Sequence, residues 1–265
     1  MPCGGSSRDV IDTLNSINNV SQRFPDLGFK VYKVFNNGLT SCIEDQSNSW
    51  HFNMFDIDIN PVASAALARN AALDFISSNH KLSPINSKDY VIFLDAGDLL
   101  LPDMIDRVVT RGLKDYDLII GSAIIKTENK SFERLRVPIF LRYVMNPIYL
   151  GSSIARTALV LSERFEDGRK EDWKFWLAIL DKNPKFTHLR AKNFIYTIKN
   201  RSDHSIRKGK LIKHQFRFYR QHLNFNYFLS CFMLLSHYIT LVVVWWIIMP
   251  IREKISFEHQ SKVKS

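Results

Sequence analysis

A chain of 265 residues that is 46% hydrophobic and 12% aromatic can bury a substantial core, which excludes a wholly disordered polypeptide. Its net charge of +10 is concentrated late: residues 201–220 hold seven basic side chains against Asp203, residues 251–265 hold four against two acids, and the first 200 residues share an excess of only +2. Basic charge on either side of an uncharged apolar run suits anionic lipid headgroups and argues against nucleic acid, whose binders spread such residues over a folded face.

From Asp9 onward Val10, Leu14 and Ile17 recur at helical spacing. Phe29 to Phe35 alternates like a strand and runs into the turn residues Asn36-Asn37-Gly38, and residues 51–59 form a second extended run. Pro61 opens an Ala-rich helix through about Ile76. Tyr90-Val91-Ile92-Phe93-Leu94 is apolar without alternation, as expected of a strand buried on both faces of a largely parallel sheet, and Asp95 stands at its carboxyl end. Pro102 starts a helix to about Leu113, and Leu118 to Ile125 reads as another buried strand. Glu171-Asp172 precede Trp173, Phe175, Trp176, Leu177, Ile179 and Leu180, a buried helix. Alternating strands and helices predict a doubly wound α/β fold, in which ligands bind beyond the carboxyl ends of strands, at Asp95 and Asp98.

Both acidic pairs admit two readings. Asp95-Ala96-Gly97-Asp98 is a good turn sequence, and it is also a pair of carboxylates fit to hold Mg²⁺ or Mn²⁺ against a departing diphosphate. Glu171 and Asp172 suit the positive end of a helix, and a carboxylate held there can also take a proton from an acceptor hydroxyl. Cys3, Cys42 and Cys231 are odd in number, far apart and without C-x-x-C spacing, so neither a disulfide framework nor a zinc site is expected.

Three pieces in register carry a resemblance: Ala68-Arg69-Asn70, then the strand ending in Asp95-Ala96-Gly97-Asp98 with Pro102 behind it, then Glu171-Asp172-Trp173-Lys174-Phe175-Trp176-Leu177. Over residues 2–200 this resembles the family 2 glycosyltransferases of GT-A fold, of the bacterial surface-polysaccharide type. The resemblance implies a mostly parallel sheet flanked by helices, a nucleotide-sugar donor and a divalent cation, Mg²⁺ or Mn²⁺. It also implies a glycan or lipid-linked acceptor and inversion in one displacement. Asp172 would be the general base with Glu171 supporting it. Asp98, with Asp95, would hold the metal, and Asp95 and Arg69 would lie at the nucleotide sugar. Asn37 stands where the family's base-contacting carboxylate is found, Gly151-Ser152-Ser153 resembles its acceptor-side strand, and Tyr196, Arg201, His204 and Arg207 stand where diphosphate-binding or lid residues occur. Gly97 replaces an Asp of the family's D-x-D motif. Pro2-Cys3-Gly4-Gly5 looks like the loop after the family's first strand, so that strand is expected to be truncated, and a catalytically degenerate scaffold that binds membrane or partners is the alternative function.

Beyond the transferase segment, 1–200, come a basic juxtamembrane stretch, 201–226, an uncharged run, 227–249, and a short basic tail, 250–265. Tyr227 to Met249 would span about 34 Å as a helix, enough for a hydrocarbon core of roughly 30 Å, with Trp245 and Trp246 towards one interface; Ser230, Ser236, His237 and Thr240 leave a packed core helix and an interfacial or re-entrant helix as alternatives. The opening residues lack an export signal, and the larger basic excess precedes the run. Both predict attachment to the cytoplasmic membrane with the transferase segment on the cytoplasmic side.

Overall fold

The structure, a computed structural model, describes residues 2–3, 7–36, 50–59, 64–79, 89–127, 131–134, 136–197 and 208–243. The chain divides into two compact units, one of Met1–Val137 with Pro147–Arg201, the other of Pro138–Asn146 with Ser202–Ser265. The inclusion of 138–146 in the second unit joins segments far apart in the chain, which no local pattern announces.

In the first unit, strand β1 (Pro2–Cys3), helix α1 (Ser7–Arg23), strands β2 (Lys30–Asn36) and β3 (Asn53–Ile59) and helix α2 (Ala65–Asn79) follow one another. β1, β2 and β3 form a parallel sheet in that order. β1 is a two-residue rung beside β2, Pro2 opposite Val34 and Cys3 opposite Phe35. β2 also buries Lys33, whose ammonium meets its ladder neighbour Asp56 at 2.9 Å.

The chain continues through β4 (Tyr90–Val91), β5 (Leu99–Leu100), helix α3 (Asp103–Thr110), β6 (Leu118–Lys126), β7 (Ser131–Glu133), β8 (Ser153–Arg156), helices α4 (Thr157–Leu161) and α5 (Glu171–Asp181), and β9 (Phe186–Thr197). These strands form a second sheet, ordered β4-β8-β6-β9-β5, with β7 on β6. It is mixed, which corrects the expectation of a mostly parallel sheet. β6 runs parallel to β9 but antiparallel to β7 and β8, and β4–β8 and β5–β9 are antiparallel as well. An apolar run reports burial, and it does not encode the direction of its neighbour. The Tyr90–Leu94 strand shrinks for the same reason. Only Tyr90 and Val91 join a ladder, while Phe93 is buried edge-on against Phe165, Phe175 and Trp176.

One face of α1 explains how the two sheets share a core. Val10, Leu14, Ile17 and Val20 pack with Val31 and Phe35 of β2 and with Leu100, Met104, Ile119, Ile154 and Phe194. At roughly 1.5–3 kcal/mol for each large side chain removed from water, this face anchors the unit.

The second unit contains helix α6 (Lys208–Arg217), a π-helical turn over Phe218–His222, and helix α7 (Tyr227–Val243). Asn226 caps α7, its side-chain oxygen accepting from the Leu229 amide at 2.8 Å. Residues 138–146 pack here through Val144, whose carbonyl accepts from the Tyr219 hydroxyl at 3.3 Å and from Nδ1 of His237 at 2.6 Å. The expected membrane-spanning helix is not found: among the described residues no helix is long and apolar enough to cross a bilayer. α7 has 17 residues, about 25 Å against roughly 30 Å of hydrocarbon, and residues 244–249 with Trp245 and Trp246 lie outside the described residues. Its polar residues serve packing, with Ser230 buried and His237 on Val144, while Phe228, Phe232, Leu235, Ile239 and Val242 form an exposed stripe at alternating four- and three-residue intervals.

Candidate active site

The acidic turn between β4 and β5 is built from α1. The Asp98 amide donates to the Asp95 carbonyl at 3.1 Å, closing a turn in which Gly97 has φ +97°. Thr13, fully buried in α1, donates its hydroxyl to the Asp98 carbonyl at 2.8 Å and accepts from the Gly97 amide at 2.9 Å. Ser16, one turn on, accepts from the Leu100 amide at 2.9 Å. The departure from D-x-D now has a reason. A side chain at 97 would need a left-handed backbone, and its Cβ would stand 3.7 Å from the Asp9 side chain. Gly97→Asp is therefore expected to cost about 1–3 kcal/mol, read as a lowered urea midpoint with unchanged slope; an unchanged midpoint would refute the strain.

Arg69 of α2 ties the two acidic pairs together. Its guanidinium, almost wholly buried, holds both oxygens of Asp95 at 2.9 Å and reaches Glu171 Oε1 at 3.4 Å. Burial works against its charge, but Asp95, then Glu171 and Asp172, outweigh that cost and leave its pKa raised. The neighbouring Asn70 donates to the Phe165 carbonyl at 2.9 Å and accepts from the Phe165 amide at 2.8 Å. That reciprocal clasp fixes the loop leading to α5, and Phe165 stacks on Phe175 at 4.0 Å between ring centres.

Glu171 and Asp172 lie in the first turn of α5 and do not occupy its cap. Lys170 takes the cap position with φ +61°, and its ammonium stands over the Trp173 ring at 4.7 Å. Burial lowers the Lys170 pKa to about 8 against the pull of Asp172. Burial first, then the charge of Glu171, raises the Asp172 pKa, while the Trp173 amide, Arg69 and Arg134 pull it down. Asp98, 7% exposed, is pushed up to about 8 by burial and by Asp95, against the backbone groups of Thr197 and Asp95 and the charge of Arg69. Tyr196 of β9 sits within the field of all three, since burial and then Asp98, Tyr149, Asp95 and Asp172 raise its pKa.

The two acidic clusters thus converge, joined by Arg69 and overlooked by Tyr196, which stacks on Tyr149 at 6.2 Å. Asn37, Arg201, His204 and Arg207 lie outside the described residues. Thr13, Ser16, Tyr149, Arg134 and Lys170 went unnoticed in the sequence, because a lone Thr, Tyr or Arg carries no pattern until the fold gives it neighbours. Among the described residues no three His, Cys, Asp or Glu side chains gather as a ready-made metal site, so a cation here would rest on one or two carboxylates. Asp95 explains this in part, for both its oxygens are engaged by Arg69.

Along 99% of its length this chain is similar to the mannosyltransferase PcManGT from Pyrobaculum calidifontis, solved with GDP-Man and Mn²⁺, at TM-score 0.57 and 12% identity over 79% of that protein. The two share a fold. A weaker likeness, TM-score 0.40 and 15% identity over 72% of this chain and 84% of the other, is to HddC from Yersinia pseudotuberculosis. No protein-family model matches the chain, and no curated protein matches it.

Proposed function

We propose that the chain is a glycosyltransferase that moves a hexosyl unit from a nucleotide-sugar donor to a glycan or lipid-linked acceptor, with inversion, in the assembly of a cell-surface polysaccharide. The observation that carries this reading is the ion-paired bridge from Asp95 through Arg69 to Glu171, which brings two carboxylate clusters, 76 residues apart in the chain from Asp95 to Glu171, around one site. The shared fold with a mannosyltransferase solved with GDP-Man and Mn²⁺ supports it.

In this reading Asp172 accepts the proton of the acceptor hydroxyl as that oxygen bonds to the anomeric carbon and the bond to the diphosphate breaks. A raised pKa makes Asp172 a stronger base than an ordinary carboxylate, and the arrangement needs no covalent intermediate. Asp98 and Asp95 offer oxygen atoms to a hard cation: Asp98 is buried and repelled by Asp95, a repulsion that Mg²⁺ or Mn²⁺ would relieve, and Asp95 would bind it through the second lone pair of an oxygen that also accepts from Arg69. Such a cation, when bound, supplies positive charge to the departing diphosphate. Arg69 keeps Asp95 oriented, and Tyr196 lines the same site.

Titration calorimetry with GDP or UDP, with and without Mn²⁺, tests the proposal. A transferase is expected to give heat that depends on the metal and vanishes in Asp98→Asn, whereas a non-catalytic scaffold gives none.

The second unit suits attachment at the inner face of the cytoplasmic membrane, by lying on the lipid rather than crossing it. The exposed stripe of α7 is apolar, and the neighbouring segment 208–220 supplies five Lys and Arg residues. Phe232→Glu combined with Ile239→Glu is expected to lower the fraction sedimenting with anionic phospholipid vesicles about tenfold or more; unchanged sedimentation, or none by the parent protein, would withdraw lipid attachment.

A further inference from the structure

A shallow, partly open pocket lies on the larger sheet. Its wall comes from an irregularity in pairing. Ile120 faces His188, but two residues later Ser122 faces Lys192, so β9 carries two extra residues here, and Ser122 donates its hydroxyl to the Ala191 carbonyl at 3.1 Å. On the other side β7 ends, and the Arg134 amide donates to the Ala123 carbonyl at 2.9 Å. From that point Arg134 and Arg136 both line the pocket, with His188, Tyr149 and Ser152.

The chemistry of this lining is that of an oxyanion site. Two arginines and a histidine are among the lining residues, and no Asp or Glu is. The Arg134 guanidinium lies over the Tyr149 ring, 3.3 Å from its centre, which holds its planar fork in one orientation. Such forks match phosphate oxygens in pairs. The pocket also communicates with the transfer site, because Arg134 and Asp172 lie within each other's field and Tyr149 stacks on Tyr196.

We propose that this pocket binds a phosphate carried by the acceptor, beside the hydroxyl that Asp172 deprotonates. The word acceptor rests on the transfer reading above; phosphate binding by Arg134 and Arg136 does not. The donor's diphosphate is the other possible source of the same chemistry, and the test separates them.

Hexyl phosphate, and separately GDP or UDP with Mn²⁺, is titrated into the full chain, into Arg136→Gln and into Arg134→Gln. Arg136 is only half-buried, so its substitution decides the matter if Arg134→Gln fails to fold, and circular dichroism reports folding. Hexyl phosphate affinity is expected to fall roughly tenfold or more in Arg136→Gln, with partial rescue in Arg136→Lys and nucleotide affinity unchanged. Loss of nucleotide binding alongside hexyl phosphate binding would reassign the pocket to the donor and overturn the proposal, as would nucleotide binding with no hexyl phosphate binding at all. Hexyl phosphate binding without nucleotide binding would keep the pocket and withdraw the transfer reading instead.

Discussion

Replacing Asp172 by Asn is expected to cut sugar transfer by about 10²–10⁴-fold while nucleotide affinity stays within a factor of two or so of the parent. The substitution keeps the size of the side chain and an oxygen able to accept from the Trp173 amide, and it removes only the capacity to take a proton. The fold should tolerate it well. Burial and Glu171 already disfavour the Asp172 charge, so a neutral side chain relieves a cost that the parent carries at neutral pH. The same shift fixes the acid limb of the rate profile: activity in the parent should rise with pH through a range above that of an ordinary carboxylate, as Asp172 loses its proton. Transfer at the parent rate by Asp172→Asn would remove it from the role of base.

Asp98→Asn is expected to have two effects of opposite sign. In EDTA the folded parent holds the Asp98 proton more tightly than the unfolded chain does, with a pKa of about 8 against 3.8. The parent therefore loses stability as pH rises from about 4 to about 8 and changes no further above that, an effect on the order of a few kcal/mol. Asn has no proton to lose and escapes this loss. Thermal unfolding at pH 5 and pH 9 should show a gain in midpoint for the variant that is larger at pH 9, and a gap that narrowed towards alkaline pH would contradict the assignment. With Mn²⁺ and donor present the order reverses, because removing a metal-side carboxylate should lower transfer by about a hundredfold or more. A variant that is more stable and less active locates strain at a site of function and not in the general core.

The stretches legible in the chain were those whose pattern is local. Val10, Leu14 and Ile17 announce α1, the alternation before Asn36 announces β2, and the Trp- and Phe-rich run after Asp172 announces α5, each within a residue or several of its observed bounds. Apolar runs misled where burial was taken for pairing or for lipid. Phe93 and Leu94 are buried without entering a ladder, and α7 spends Ser230, Met233 and His237 on packing within its own unit. The direction of β8 beside β6 was invisible, since side-chain alternation is the same in parallel and antiparallel strands.

By itself the sequence determined the helices α1, α2, α3 and α5 and the strands β2, β3 and β6 in their order, while β5, β7, α4 and β9 went unread, and the resemblance raised the expectation that Asp95, Asp98, Glu171 and Asp172 serve one site. The tertiary structure alone decided how they meet: Arg69 as the bridge, Thr13 and Ser16 as the hands that hold the acidic turn, and Gly97 as a backbone requirement. Helical and strand periodicities arise from neighbours along the chain and can be read from it. Ion pairs across 26 and 102 residues, from Arg69 to Asp95 and to Glu171, and hydrogen bonds from α1 to a turn 84 residues later, exist only once burial has brought those segments into contact.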